Sequence, residues 1–149
     1  MKETDDLKAE MIELFPAVLH AGRAALHECD ECNSITSYLS GRTWIEIETS
    51  FAEEFCDSLP LLSEKAYCTF LPGWLNGALG DPDSEAATMV IINLIHQPRP
   101  ELFTTRQREI IGRIAEFVAR AECCGPDDPV NIETLADLAR LWPKRVGPN

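Results

Sequence analysis

Apolar side chains recur along most of this chain at steps of three and four residues, which is the spacing of one helix face. The longest such run covers residues 110–121, and the Thr104-x-x-Gln107 pattern before it predicts a capping box. A chain of 149 residues has the usual size of one domain. We therefore predict an all-α fold, in which residues 1–149 form a single compact domain of six to eight helices and residues 143–149 form a loose tail.

Three helices are predicted in the N-terminal part of the chain. Thr4 caps the first, which runs to about Phe15, and Pro16 starts the second because its missing N–H does no harm there. The third covers residues 29–40 and ends at Gly41, which favours the left-handed cap conformation. In the second helix, the apolar side chains expected to face the core are Val18, Leu19, Ala25 and Leu26.

A fourth helix is predicted over residues 43–59, and Pro60 ends it. Thr43 and Glu46 have the spacing of a second capping box. Apolar side chains at three- and four-residue steps form one buried stripe on this helix, made of Trp44, Ile47, Phe51 and Phe55. The acidic side chains fall largely on the opposite face, where we expect them to be solvated.

The remaining segments also favour helices. Ser63 caps a helix that Pro72 interrupts, with a kink or a joint at that point. Residues 84–96 contain β-branched side chains that suit a strand, but a strand without partners is implausible, so we predict a buried helix. After a loop at residues 125–129, Asn131 caps a last helix.

The net charge of −12 is concentrated in the N-terminal part of the chain. Residues 1–60 carry 13 acidic and 4 basic side chains, whereas residues 97–149 carry 8 of each. Such a surface argues against binding to nucleic-acid phosphates or anionic membranes, both of which attract Lys and Arg. It favours basic protein partners, with fast and salt-sensitive association. Solubility alone is the alternative explanation of this charge.

Nothing in the sequence indicates export or membrane insertion. Residues 1–6 lack the apolar segment of a signal peptide, and the longest apolar run, residues 89–92, is too short to span a bilayer. We therefore expect a cytoplasmic protein whose six cysteines are reduced.

Three blocks of sequence, in this order, carry a family resemblance. The blocks are Cys29-x-x-Cys32 with Gly41-Arg42-x-Trp44-x-Glu46-Ile47; Leu59-Pro60-Leu61-Leu62-Ser63 with Ala66-Tyr67 and Phe70-Leu71-Pro72-Gly73-Trp74-Leu75-x-x-Ala78-Leu79; and Leu102-Phe103-Thr104-x-x-Gln107-Arg108. This arrangement, over about residues 29–120, resembles an uncharacterised family of small, mostly bacterial helical domains. Gly73-Trp74 stands where that family usually has Ala-Tyr, a change that keeps a large aromatic side chain. The resemblance implies a helical fold and a bacterial origin but no activity, and we expect Trp44, Tyr67 and Trp74 to be structural.

The best candidate for metal chemistry is His27-x-Cys29-x-x-Cys32. Two thiolates at this spacing can form half of a tetrahedral zinc site, but a second half is missing, since Cys123 and Cys124 are adjacent and the other cysteines stand alone. A redox role for the pair would call for a βαβ context, which is not predicted here. The simplest interpretation is two partly buried helical residues one turn apart. A zinc module, or an enzyme of unknown reaction centred on Cys29 and Cys32, stays open as an alternative.

No motif of a known enzyme class is present in the sequence. The P-loop, Gly-x-Ser-x-Gly and His-Glu-x-x-His patterns are all missing. Neighbouring carboxylates such as Glu53-Glu54 and Asp127-Asp128 arise easily among 25 acidic residues, and acid–base catalysis would also need a pocket and a shifted pKa. We therefore expect no enzyme activity, no catalytic residue, no cofactor and no bound metal.

The acidic helix suggests a function that needs no pocket, namely docking onto a cationic cleft of a partner protein. The carboxylates predicted to make this contact are Asp30, Glu31, Glu46, Glu53, Glu54 and Asp57. Proteins that block nucleases commonly use this device, because their carboxylates take the positions of substrate phosphates. The leading hypothesis is a bacterial immunity protein that neutralises a cognate toxin by occluding its active site. A structural subunit of a larger complex, or a homodimer, is a further alternative.

Overall fold

Seven α-helices make up most of the part of the chain that the computed structural model describes, which is residues 2–121 and 129–143. They are α1 (Lys2–Leu14), α2 (Asp30–Leu39), α3 (Thr49–Glu54), α4 (Glu64–Gly80), α5 (Glu85–His96), α6 (Thr105–Arg120) and α7 (Pro129–Leu141). Short 3-10 turns occur at Trp44–Glu46, Leu59–Leu61 and Pro100–Leu102. Within these ranges there is no strand, apart from one isolated bridge between Ala25 and Leu62. The predicted all-α fold is confirmed.

Helix α4 lies in the middle of the core. Ten of its residues are buried, so it has little solvent-facing surface. Helices α1, α3, α5 and α6 pack against it, as does the turn at Trp44–Glu46, while α7 covers α5 and α6. The buried side chains of these elements form one continuous hydrophobic cluster. None of the helices in the described residues has the length and apolar character needed to cross a bilayer.

Three tryptophan side chains connect the ends of helices to the core. Each indole N–H donates a hydrogen bond to a backbone carbonyl at or near the C-terminus of a helix, where carbonyls lack helical partners. The pairs are Trp44 with Phe15 at 3.1 Å, Trp74 with Phe55 at 3.1 Å and Trp142 with Leu94 at 3.0 Å. Tyr67 is also buried, and its hydroxyl donates to the side-chain oxygen of Asn93 at 2.8 Å. These aromatic residues thus have the structural surroundings that the sequence predicts.

Side-chain caps begin several helices. The hydroxyl of Ser63 accepts a backbone N–H group in the first turn of α4, as predicted, and that of Ser84, which was not predicted as a cap, does the same in α5. Thr104 and Gln107 bond to each other's backbone N–H and complete the capping box of α6. Gly41 has a φ of +76° just beyond α2, which is the predicted left-handed conformation. Helix α5 also confirms that the β-branched segment is a helix and not a strand.

The predicted second helix is wrong. Residues 16–28 cross the surface in an irregular conformation, and their backbone pairs with the segment that leads into α4. The N–H of Leu26 donates to the carbonyl of Leu61 at 2.8 Å, and the N–H of Ser63 donates to that of Ala24 at 2.9 Å. These bonds replace those of a helix, so the side-chain directions change. Of the residues predicted to face the core, Ala25 is buried, and the exposed ones are Val18, Leu19 and Leu26.

The predicted helix over residues 43–59 is divided into the turn at Trp44–Glu46 and the short helix α3. A continuous helix would pair the N–H of Glu48 with the carbonyl of Trp44. Instead, that N–H donates to the hydroxyl of Tyr38 at 3.0 Å, and the helical ladder is broken there. The predicted apolar stripe survives this break: Trp44, Ile47 and Phe51 are buried, and Phe55 is half-buried.

Three other boundaries differ from the prediction. Helix α1 begins at Lys2, so Thr4 lies inside it and does not cap it. Helix α4 continues through Pro72, because burial of the flanking residues outweighs the backbone bond that proline removes. Helix α7 begins at Pro129, just before the predicted cap at Asn131. Predictions that fall outside the described residues concern the loop before Pro129, the tail after Pro143, and Cys123, Cys124, Asp127 and Asp128.

Candidate functional site

Four carboxylates from two parts of the chain surround one open depression on the surface. Glu53 and Glu54 end α3, Asp57 lies in the turn that follows, and Glu85 lies in the first turn of α5. All four side chains are exposed. We call Glu53, Glu54, Asp57 and Glu85 the acidic rim. The same depression is also lined by Cys56, Ser84 and Ala86.

The acidic rim forms because α3 ends close to the point where α5 begins, since the two helices pack against each other. The ring of Phe55 lies 4.7 Å from that of Phe51, and the carbonyl of Phe55 accepts the indole N–H of Trp74. These contacts fix the turn after α3. Ser84 caps α5 and places Glu85 at the positive end of that helix, where a carboxylate is favourable.

An apolar groove continues from the acidic rim along α5. We define the apolar groove by its lining residues, Cys56, Asp57, Pro60, Met89, Ile92, Asn93 and Gln97. Ile92 is 41% exposed, which leaves a large apolar side chain open to solvent. Because Cys56 and Asp57 line both the groove and the depression of the rim, the carboxylates lie directly beside exposed apolar surface.

No basic side chain in the described part of the chain forms a salt bridge with the acidic rim. Residues 43–64 contain six carboxylates and no Lys or Arg. The salt bridges among the described residues join other pairs, which are Glu10 with Arg113, Glu116 with Arg120 and Asp137 with Arg140. Burial raises the pKa of the Cys56 thiol, and the negative charges of Asp57 and Glu85 raise it further. The negative charge of the rim therefore extends to the sulfur of Cys56.

Glu31 connects the start of α2 to the same region. Its carboxylate accepts a hydrogen bond of 2.7 Å from the hydroxyl of Ser58, a fully buried residue directly after Asp57. Asp30 is exposed in the same first turn, and both acids lie at the positive end of α2. The structure thus places Glu31 within one hydrogen bond of the turn that carries Asp57.

Glu46 interacts with the backbone of its own turn. Its carboxylate accepts hydrogen bonds from the N–H of Thr43 at 2.9 Å and from the Thr43 hydroxyl at 3.1 Å. These two bonds, with the nearby charge of Arg42, hold the pKa of Glu46 below its usual range. Glu46 does not line the depression. Of the six acids predicted to contact a partner, the structure brings three together in the rim: Glu53, Glu54 and Asp57.

Glu85 is the rim residue that sequence reasoning missed. It is separated from α3 by the whole of α4, and only the packing of α3 against α5 brings it to the other carboxylates. The sequence signal at this point is Ser84, whose capping role predicts a favourable position for an acid but not its neighbours. The exposure of Ile92 was missed for a similar reason, since an apolar run predicts burial without showing which side faces out.

Cys29 and Cys32 lie at the start of α2, with Cys29 exposed and Cys32 buried. His27 is exposed on the loop before them. Among the described residues there is no group of three or more His, Cys, Asp and Glu side chains placed to hold a metal ion. The described residues thus provide two thiols at this site, whereas a structural zinc site needs four ligands.

No protein-family model, curated protein or solved structure matches this chain. The resemblance to a family of small bacterial domains therefore remains a prediction.

Proposed function

We propose that this protein binds a cationic partner protein through the acidic rim and the apolar groove. One observation supports this proposal above all: exposed carboxylates without a salt-bridge partner among the described residues stand beside exposed apolar side chains. Cys56 and Asp57 belong to both surfaces, so a single partner element can contact them together. A protein that presents Lys or Arg next to an apolar side chain complements both.

The two parts of this surface have different roles in binding. The carboxylates attract a cationic partner, raise its association rate and orient it. An exposed ion pair contributes only about 0–1 kcal/mol, so charge alone gives a weak complex. Burial of apolar surface contributes roughly 25 cal/mol per Å², and Met89 and Ile92 are the side chains that supply it in the groove.

The most specific form of this proposal is a bacterial immunity protein that occludes the active site of a cognate toxin. An enzyme that cleaves nucleic acids has a cationic cleft that receives phosphates. Because the rim carboxylates come from both α3 and α5, they present negative charge over an area and not at one point. Such a surface blocks a phosphate-binding cleft without any chemistry by the bound protein.

Isothermal titration calorimetry against the protein encoded by the adjacent gene tests this proposal. The rim variant reverses three of its carboxylates, with Glu53→Lys, Asp57→Lys and Glu85→Lys. The control variant reverses three exposed carboxylates outside the rim, with Glu3→Lys, Glu101→Lys and Glu133→Lys. Each set changes the formal net charge from −12 to about −6, so the two variants differ in position and not in total charge.

We expect the Kd of the rim variant to rise by at least ~100-fold and that of the control variant by less than ~5-fold. Ile92→Ser in the groove should accelerate dissociation and leave the salt dependence of association unchanged. Equal weakening by the two charge variants would mean that net charge alone governs binding. Unchanged binding by the rim variant would exclude the acidic rim as the binding site.

A further inference from the structure

Cys29 and Cys32 form a close pair of thiols that the proposed binding surface does not use. Cys29 is the N-cap residue of α2, and its sulfur accepts a hydrogen bond from the backbone N–H of Cys32 at 3.4 Å. The sulfur of Cys29 therefore lies against the backbone of Cys32, and both residues are free thiols.

The two thiols differ in exposure and in acidity. Cys29 is exposed, whereas Cys32 is completely buried, with 0% of its surface accessible. The hydrogen bond from the backbone N–H of Cys32 is the main cause that lowers the pKa of Cys29. Burial raises the pKa of Cys32, and the neighbouring Cys29 raises it further. Cys29 is thus the more acidic and more accessible of the two thiols.

The loop before Cys29 is fixed to α2 by side-chain hydrogen bonds. The guanidinium of Arg23 donates to the carbonyl of His27 at 2.5 Å and to the side-chain oxygen of Asn33 at 3.0 Å. The side-chain nitrogen of Asn33 donates to the carbonyl of Glu28 at 3.1 Å. These bonds hold Cys29 over the first turn of the helix, where its sulfur meets the backbone N–H of Cys32.

We propose that Cys29 and Cys32 are a redox-active dithiol that exchanges with small disulfides of the glutathione class, although the described residues lack the βαβ context in which such a motif is usual. The Cys29 thiolate, having released its proton to solvent, attacks one sulfur of the small disulfide, whose S–S bond breaks to release one small thiolate. That thiolate takes the proton of Cys32, and the Cys32 sulfur then attacks the sulfur of Cys29. The second small thiolate leaves and takes a proton from solvent. The protein loses two electrons and two protons, and the small disulfide becomes two thiols.

The full-length protein is incubated with mixtures of reduced and oxidised glutathione. Peptide mass spectrometry after digestion then follows each cysteine separately. We expect one disulfide, between Cys29 and Cys32. In a parallel reaction at about pH 7, iodoacetamide should alkylate Cys29 at least ~10-fold faster than the half-buried Cys68, whose pKa is raised by burial. Cys32→Ser should hold glutathione on Cys29 as a stable mixed disulfide. Cys68→Ser is the matched control and should leave the disulfide unchanged.

Three results would overturn the proposal. The first is a mixed disulfide on Cys29 that persists in the unmodified protein, since the second thiol would then not attack it. The second is equal alkylation of Cys29 and Cys68, which would show that the N-cap position gives no added reactivity. The third is one equivalent of bound zinc in the purified protein that is lost in Cys32→Ser, because the thiols would then be metal ligands.

Discussion

At the scale of single residues, Tyr38 shows how one side chain determines local backbone structure. Its ring stacks on that of Phe51 with the centroids 3.8 Å apart, and the guanidinium of Arg42 lies 4.0 Å from its other face. The hydroxyl of the same residue accepts the N–H of Glu48. Packing of the ring thus places the Tyr38 hydroxyl at the break between the turn at Trp44–Glu46 and α3.

Gly112 is required because α6 and α7 approach each other closely there. A Cβ at this position would lie 2.2 Å from the backbone oxygen of Trp142, which cannot rotate away as a side chain does. We therefore expect Gly112→Ala to lower the free energy of unfolding by about 1–3 kcal/mol. The matched control is Gly80→Ala, because a Cβ there meets no atom within 4 Å.

Urea unfolding followed by circular dichroism compares these two variants. Gly80→Ala should leave the stability unchanged or raise it by up to ~1 kcal/mol, since alanine is the better helix former. Equal destabilisation by the two substitutions would contradict the close approach of α6 and α7.

Glu46 should make stability depend on pH. Its pKa in the folded protein is lowered by the hydrogen bonds from Thr43, so the ionised carboxylate stabilises the fold above the pKa of the unfolded chain. This contribution is lost as the pH falls through the folded-state pKa. Glu46→Gln should therefore be less stable than the unmodified protein at about pH 7, and the difference should shrink as the pH falls below the usual glutamate pKa of about 4.3. Thermal unfolding at several pH values measures it, and a difference that does not change with pH would contradict the prediction.

At the scale of secondary-structure elements, local signals in the sequence located most helices, although the caps predicted at Thr4 and Asn131 were wrong, and no local signal revealed the long-range contacts. The caps at Ser63 and Thr104 depend on residues within one helical turn, and both form as predicted. The helix predicted over residues 16–28 fails because its backbone bonds to the segment before α4. The helix over residues 43–59 breaks for a comparable reason, since a tyrosine hydroxyl from α2 replaces a carbonyl of the ladder.

The same difference between local and long-range signals applies to the candidate site. Glu53, Glu54 and Asp57 are close in sequence, so their proximity follows from one short helix and its turn. Glu85 joins them only through tertiary packing, which no local pattern encodes. Glu46 shares the charge of this group but interacts with Thr43, because the capping-box spacing directs its carboxylate back to the chain.

Ser84 controls the start of α5 and hence one side of the acidic rim. Its hydroxyl accepts the N–H of Ala87 at 3.1 Å and donates to the carbonyl of Asp81 at 2.7 Å. Ser84→Ala should lower the free energy of unfolding by about 1 kcal/mol. Ser34→Ala, at an exposed position inside α2, should change it by less than ~0.5 kcal/mol. Chemical unfolding tests both, and an equal loss in the two variants would contradict the capping role.

At the scale of the whole molecule, charge and exposed apolar surface occur together around α3 and the adjoining face of α5. Residues 97–149 carry equal numbers of acidic and basic side chains, and some of these form salt bridges, such as Arg113 with Glu10 of α1. The acidic rim has no such partner among the described residues. Negative charge is therefore concentrated on one surface of the molecule. Such a charge distribution orients a cationic partner toward that surface.

The most direct test of this account is an NMR titration of the isotope-labelled protein with a synthetic basic helical peptide that has one apolar face. The control peptide has the same composition in a scrambled order without that face. The account predicts that amide shifts change mainly at residues 53–57 and 84–92. The control peptide should bind at least ~5-fold more weakly, and added salt should weaken binding of the first peptide by at least ~5-fold. Shift changes centred elsewhere, or none at millimolar peptide, would contradict the claim that the acidic rim and the apolar groove form a binding surface.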